Sequence, residues 1–190
     1  MFVKRFVSYL CLLLCSLCVS LFCIAQPSNY NCSNGIIKFK SVATLETIEA
    51  ESRDLRGLIS TGNKSFALTV LIRTFQGFNS PLQREHFNEN YLESHKFPAA
   101  TFEGKFIEEV NFEKDGNFNA RAKGILTIHG ISQERLIKTN VSVKNGSIKI
   151  TSKFTVLLSD HNITIPKIVN QKLSSEIEVN VETYFTRTKN

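Results

Sequence analysis

From Phe118 to His129 apolar and polar positions alternate. Phe118, Ala120, Ala122, Gly124, Leu126 and Ile128 fall on one face, and Asn119, Arg121, Lys123, Ile125, Thr127 and His129 on the other. A two-residue period over this length predicts a β-strand with one dry and one wet face. The dry face is large at both ends and minimal at Ala120, Ala122 and Gly124. Protein interiors leave few voids. Either a bulky residue from a facing strand fills that gap, or the gap is kept for a ligand.

The same alternation recurs along the chain. Tyr30 to Cys32 reads as a short opening strand, and Asn34-Gly35 as a two-residue turn. Ile37, Phe39 and Ser41 then share a face. A long segment follows from Glu46 to Ser60, whose parity changes between Ala50 and Leu55, so a bulge or break is expected near Ser52-Arg53. Phe66, Leu68, Val70 and Ile72 mark the next strand. Asn79 or Ser80 can cap one short, mostly wet helix that starts at Pro81, with Leu82, Phe87, Tyr91 and Leu92 as its weak apolar edge; Pro98 lies beyond its end. Strands resume with Ala100, Phe102, Gly104 and Phe106. Later faces are Ile137 to Val143, Ile148 to Leu158 and Ile177 to Phe185. Turns are expected at Asp115-Gly116-Asn117, His129-Gly130 and Asn145-Gly146, and a short helical or irregular segment after Pro166.

About eight strands with one dry face each must curl until the dry faces meet. The fold class expected is all-β, an eight-stranded antiparallel barrel with a short helix near its mouth and a short helical segment before the last strand. A barrel of this size is either filled by its side chains or holds one small ligand. A β-sandwich is the alternative. Small or polar residues recur in the middle of the dry faces at Gly57, Gly104, Ala120, Ala122, Gly124 and Ser152, among Phe39, Phe66, Phe102, Phe106 and Phe154. That arrangement favours an elongated apolar hollow. Leu68, Val70, Ile150, Val179 and Val181 complete the candidate lining. Gly57 and Gly104 have a second reading, because glycine in a strand often marks a barrel bend.

The N-terminus changes what counts as the folded chain. Lys4 and Arg5 precede an almost wholly apolar run from Phe6 to Ile24, and small residues stand at Cys23 and Ala25. We read residues 1–25 as a secretory signal peptide and 26–190 as one barrel domain, exported to the periplasm or the exterior; an uncleaved membrane anchor is the alternative. Four of the five cysteines lie in the leader, so the mature domain keeps Cys32 alone and has no internal disulfide. Removing Lys4 and Arg5 lowers the net charge from +6 to +4, spread evenly. Nucleic acid, which needs a clustered basic stripe, is not an expected partner.

Three stretches resemble the YceI-like family, secreted bacterial proteins with a lipocalin-like barrel that bind polyisoprenoid lipids. They are EHFNENYLESHKFPAATFEGKF (Glu85 to Phe106), GILTIHGIS (Gly124 to Ser132) and FTVLLSDHNITIP (Phe154 to Pro166). IIKFKSVATLETIEAESRDLRGLI fits as well, with Phe39, Glu46 and Gly57 at matching places, whereas His161 stands where the family more often has an aromatic. The resemblance covers nearly all of the mature chain. It implies a long cavity for an extended isoprenoid or isoprenoid quinone, with the helix near its mouth and no other cofactor. Arg84, His86 and Lys96 are then candidate head-group contacts, and a transient membrane contact for lipid exchange or a homodimer would be compatible with it.

Catalytic and metal chemistry find little footing. His86 and His95 are too far apart for a helical zinc pair, despite Glu85, Glu89 and Glu93 nearby. His129 is expected to satisfy the backbone of its turn. No G-x-S-x-G elbow or glycine-rich phosphate loop occurs, and Cys32 has no evident base. The chain therefore reads as a non-catalytic lipid-binding protein without a metal. The alternative is a structural or partner-binding barrel with a filled core.

Overall fold

The structure, a computed structural model, describes residues 28–188; the segment read as a signal peptide lies outside the described residues. Eight strands form a closed antiparallel barrel in chain order, with the last pairing on the first. They are β1 (Asn29–Val42), β2 (Thr47–Ser60), β3 (Ser65–Leu71), β4 (Ala99–Phe106), β5 (Gly116–Ile128), β6 (Ile131–Lys144), β7 (Ser147–Leu157) and β8 (Glu176–Arg187). Alternation places Phe66, Val70, Phe102, Phe106, Ala122, Leu126 and Ile137 inside. The outer face carries cross-strand ion pairs such as Lys38–Glu51, Lys40–Glu49 and Lys153–Glu178. That is the reverse of the apolar outer band of a membrane-spanning barrel.

Asn34-Gly35 is not a turn. β1 runs through it as a single strand. The extra residues form a bulge opposite β2, and a second irregularity between Gly35 and Ile37 cancels it: Asn29 opposes Ser60 at one end and Val42 opposes Thr47 at the other. The second bulge lies where the parity of β2 breaks. Pairing on both edges of β1 overrides the local turn preference of Asn-Gly. His129-Gly130 and Asn145-Gly146 do turn, with φ of 52° and 71° in the first pair and 50° and 72° in the second. Two consecutive positive φ values make the tight hairpins that suit twisted strands.

The two ends of the barrel differ. At one end Tyr30, Val141, Ile148 and Phe185 are buried to 1% exposure or less. The loop between β4 and β5 plugs this end with Val110 and Phe112, and the Tyr30 hydroxyl donates to the Phe112 carbonyl. At the other end β3 and β4 are short, and the chain between them crosses the mouth. It forms a 3-10 turn (Ile72–Thr74), helix α1 (Pro81–His86) and a wider helical turn (Phe87–Tyr91). The Ser80 hydroxyl caps α1 by accepting from the Gln83 N–H at 3.2 Å, with Pro81 in the first turn. The segment between β7 and β8 closes the other side with 3-10 turns at Leu158–His161 and Lys167–Val169.

Candidate ligand-binding site

Beneath this cover lies an apolar hollow of two adjoining lobes, about 90 Å³ near the plugged end and about 160 Å³ under the helix. Ile37, Val70, Ala100, Leu126 and Phe154 line both and form the waist between them. The core is therefore packed at its base and hollow above. Each lobe has room for more than one water by volume, but an apolar cavity of this kind stays dry.

Phenylalanines frame the lobes. Phe66 packs against Phe102 and Phe106 with ring centres 5.0 and 5.2 Å apart beside the lower lobe. Phe39, Phe75, Phe78 and Phe87 cluster at the mouth, Phe39 and Phe87 stacking at 5.3 Å and 15°. Two hydroxyls of the lower lobe are spent on the wall. The Ser152 hydroxyl donates to the Lys138 carbonyl at 2.7 Å and that of Thr139 to the Thr151 carbonyl at 3.1 Å. Tyr91 supplies the one hydroxyl lining the upper lobe, and burial pushes its phenol pKa above the ordinary value.

Of the candidate lining residues, Phe66, Leu68, Val70, Phe102, Phe106, Ala122, Ile150, Ser152, Phe154 and Val181 border the lower lobe. Phe39 and Val179 border the upper lobe, which Val70 and Phe154 also reach. Four candidates do not line the hollow. Ala120 is buried in the packed lower core. Gly57 holds no space, because a side chain there would meet Leu68 and the Phe185 ring. Gly104 and Gly124 stand opposite each other in β4 and β5, and a Cβ on either would strike the facing backbone. They permit close strand approach at a bend rather than leaving room for a ligand. The proposed head-group residues are also elsewhere. Arg84 donates to the Arg73 carbonyl on the outer side, His86 is exposed, and Lys96 is exposed and paired with Glu93. None of the three borders a lobe, because the helix turns Phe87, Tyr91 and Leu92 inward and its charged residues outward; Leu82 is exposed as well.

The upper lobe owes much of its lining to residues outside the alternating strands, including Ile72, Phe75, Phe87, Leu92, Ile163 and Leu173. Two polar ties hold them over the mouth. At the start of α1, Asn79 and Gln83 donate to the Glu46 carboxylate at 3.0 and 2.6 Å, and these bonds hold its pKa below the usual range. After the helical turn, Glu93 accepts from His129 Nε2 at 2.9 Å, while His129 Nδ1 donates to the His161 carbonyl at 3.1 Å. Both ring nitrogens face acceptors, so the two bonds coexist when the ring carries both protons. His129 thus joins the helical cover to the segment after β7, where the backbone of its own turn is the partner expected from sequence. His161 is fully buried, with Nδ1 on the Ile131 carbonyl.

Lys96 first, then His129, holds the Glu93 carboxyl below its ordinary pKa. A depressed carboxylate stabilises the fold above its unfolded pKa and loses that contribution as pH falls through the folded value. Hydrogen exchange over residues 87–94 should therefore rise, relative to intrinsic rates, as the pH falls through that value. Glu93→Gln should abolish this acid dependence. An unchanged dependence in Glu93→Gln would remove Glu93 from the account.

The other histidines stay apart: His95 lies 3.8 Å from Glu89, both about half exposed. Cys32 is buried and its sulfur accepts from the Thr183 hydroxyl. Among the described residues no group of three or more His, Cys, Asp or Glu side chains is placed to hold a metal ion.

Comparison with known proteins agrees with this architecture. A polyisoprenoid-binding domain from Saccharophagus degradans, implicated in plant cell wall breakdown, superposes with a TM-score of 0.72 at 13% identity, covering 86% of this chain and 100% of that one. BcnA of Burkholderia cenocepacia gives 0.64 at 12% identity over 79% and 95%. The YCEI protein of Campylobacter jejuni gives 0.52 at 17% identity over 70% and 78%. No protein of curated function matches in sequence. Residues 30–185 match the YceI-like domain, which takes in every strand of the barrel, and the chain belongs to that family.

Proposed function

We propose that this protein is a non-catalytic carrier that buries an extended isoprenoid chain, a polyisoprenoid or the tail of an isoprenoid quinone, in the two lobes of its barrel. The observation that carries the reading is the lining: two apolar lobes that share Ala100 and four other residues at the waist, with the Ser152 and Thr139 hydroxyls of the lower lobe bonded to the wall. A linear hydrocarbon suits this shape, and its burial contributes about 25 cal/mol per Å² of apolar surface. The polar head then lies toward the mouth, where Tyr91 offers a hydroxyl. Family membership and the polyisoprenoid-binding domain from Saccharophagus degradans support a lipid as cargo. Export by the N-terminal leader, with the barrel working in the periplasm or outside the cell and meeting a membrane to exchange cargo, completes the reading.

Native mass spectrometry of protein recovered from a secreting bacterial host, followed by solvent extraction, tests it. The expected result is a discrete added mass released as an isoprenoid quinone or polyprenyl species. Protein that is bare, and stays bare after incubation with isoprenoid lipids, overturns the proposal.

A further inference from the structure

Six of the eleven exposed large hydrophobics of the described residues lie at the mouth end of the barrel. They project from separate elements. Val42 and Leu45 lie at the β1–β2 turn, at 53% and 64% exposure, Leu82 on α1 at 58%, and Ile168 on the Lys167–Val169 turn at 92%, the highest of all. The Leu45 N–H donates to the Gln171 carbonyl at 2.8 Å, which fixes the β1–β2 turn to the segment that carries Ile168. That segment also sends Leu173 inward to line the upper lobe. One stretch of chain thus has an apolar side chain in the cavity and another in solvent at its rim. Lys167 and Lys172 flank Ile168, both exposed, and neither has a carboxylate within 4 Å among the described residues. The acids of the same region are Glu46, half-buried beside Leu45, bonded to Asn79 and Gln83 and near enough to Lys172 to feel its charge, exposed Glu176, and exposed Glu85 and Glu89 on the helical cover.

We infer that this rim docks on an anionic lipid bilayer, with Ile168 and Leu45 entering the headgroup region and Lys167 and Lys172 meeting lipid phosphates. Three short elements that each present one or two apolar side chains suit shallow insertion. A stable dimer needs roughly 800 Å² per partner, whereas these apolar side chains stand one or two at a time on separate elements. Lysines near an anionic surface add attraction that salt screens. The inference rests on the carrier reading in one respect: docking here would let an apolar cargo pass between bilayer and lobe without crossing water.

The protein has no tryptophan, so Ile168→Trp places a single reporter at the rim. With phosphatidylglycerol vesicles its emission should shift to the blue and be quenched by brominated acyl chains. With phosphatidylcholine vesicles both effects should be weak. High salt, or Lys167→Glu with Lys172→Glu, should lower the apparent affinity on the order of tenfold. Leu45→Asp should reduce it further. An emission unchanged by phosphatidylglycerol overturns the inference. So does a blue shift that grows with protein concentration without vesicles, because the rim would then pair two copies of the chain. Native mass spectrometry of the same preparations reads cargo separately. Cargo retained without vesicle binding sinks the docking surface alone, and vesicle binding by a protein that never takes a lipid sinks the carrier reading alone.

Discussion

Ala100→Phe should exclude long-chain ligands from the barrel while leaving the barrel folded. Ala100 is the smallest residue of the waist, where Ile37, Val70, Leu126 and Phe154 also touch both lobes. A chain that threads from the mouth to the lower lobe must pass it. A phenyl ring there closes the passage and leaves the upper lobe of about 160 Å³ as a separate chamber. The cost to the fold is that of overpacking, about 1–3 kcal/mol, within reach of a domain whose base is tightly filled. Released cargo, read by mass spectrometry after gentle purification, should change from long polyprenyl species to short ones or to none. Ala122→Phe is the companion. It fills the lower lobe, which is only about 90 Å³, and leaves the waist open, so it should shorten the accepted tail less than Ala100→Phe does. Identical cargo in wild type and Ala100→Phe would mean that the two lobes do not act as one channel.

The sequence makes the frame legible, and much of the lining with it. Alternation shows which residues of each strand face inward, and the Ser80-Pro81 and His129-Gly130 signals lie where the chain caps a helix and turns. Three features stay hidden, each for a physical reason. Asn34-Gly35 has a hairpin composition, yet pairing to β2 and β8 makes it a bulge, and pairing partners are not local information. The upper lobe depends also on Phe75, Ile163 and Leu173, which lie on irregular or short helical segments without a strand period. The tie from Glu93 through His129 to the His161 carbonyl joins three segments far apart along the chain, and neither end signals the other. The small residues mislead most. Ala122 does border the hollow, whereas Gly57, Gly104 and Gly124 are small because something stands close to them. A missing side chain looks the same in sequence whether it leaves space or lets another group fill it.

That difference gives the largest stability effect expected of a one-methyl change. Gly104 opposes Gly124 across β4 and β5. A Cβ at Gly104 would run into the Lys123 carbonyl and the Gly124 Cα, and one at Gly124 into the Glu103 carbonyl and the Gly104 Cα. All of these are backbone atoms held in the strand ladder. They cannot rotate away as a side chain can, so relief requires the strands to separate and lengthen the hydrogen bonds that close the barrel. Gly104→Ala should cost on the order of 3 kcal/mol, the upper end for overpacking and well above the usual effect of a point substitution. Gly57→Ala is the control. Its Cβ would meet the Leu68 Cδ2 atom and the Phe185 ring, both side-chain groups, and the Leu68 methyl can swing toward the adjacent lower lobe. The cost there should be nearer 1 kcal/mol. Urea unfolding of the two variants at equal slope reads the difference directly in the midpoints. Equal midpoints would show that β4 and β5 have slack at the glycine pair, and the bend would then need another cause.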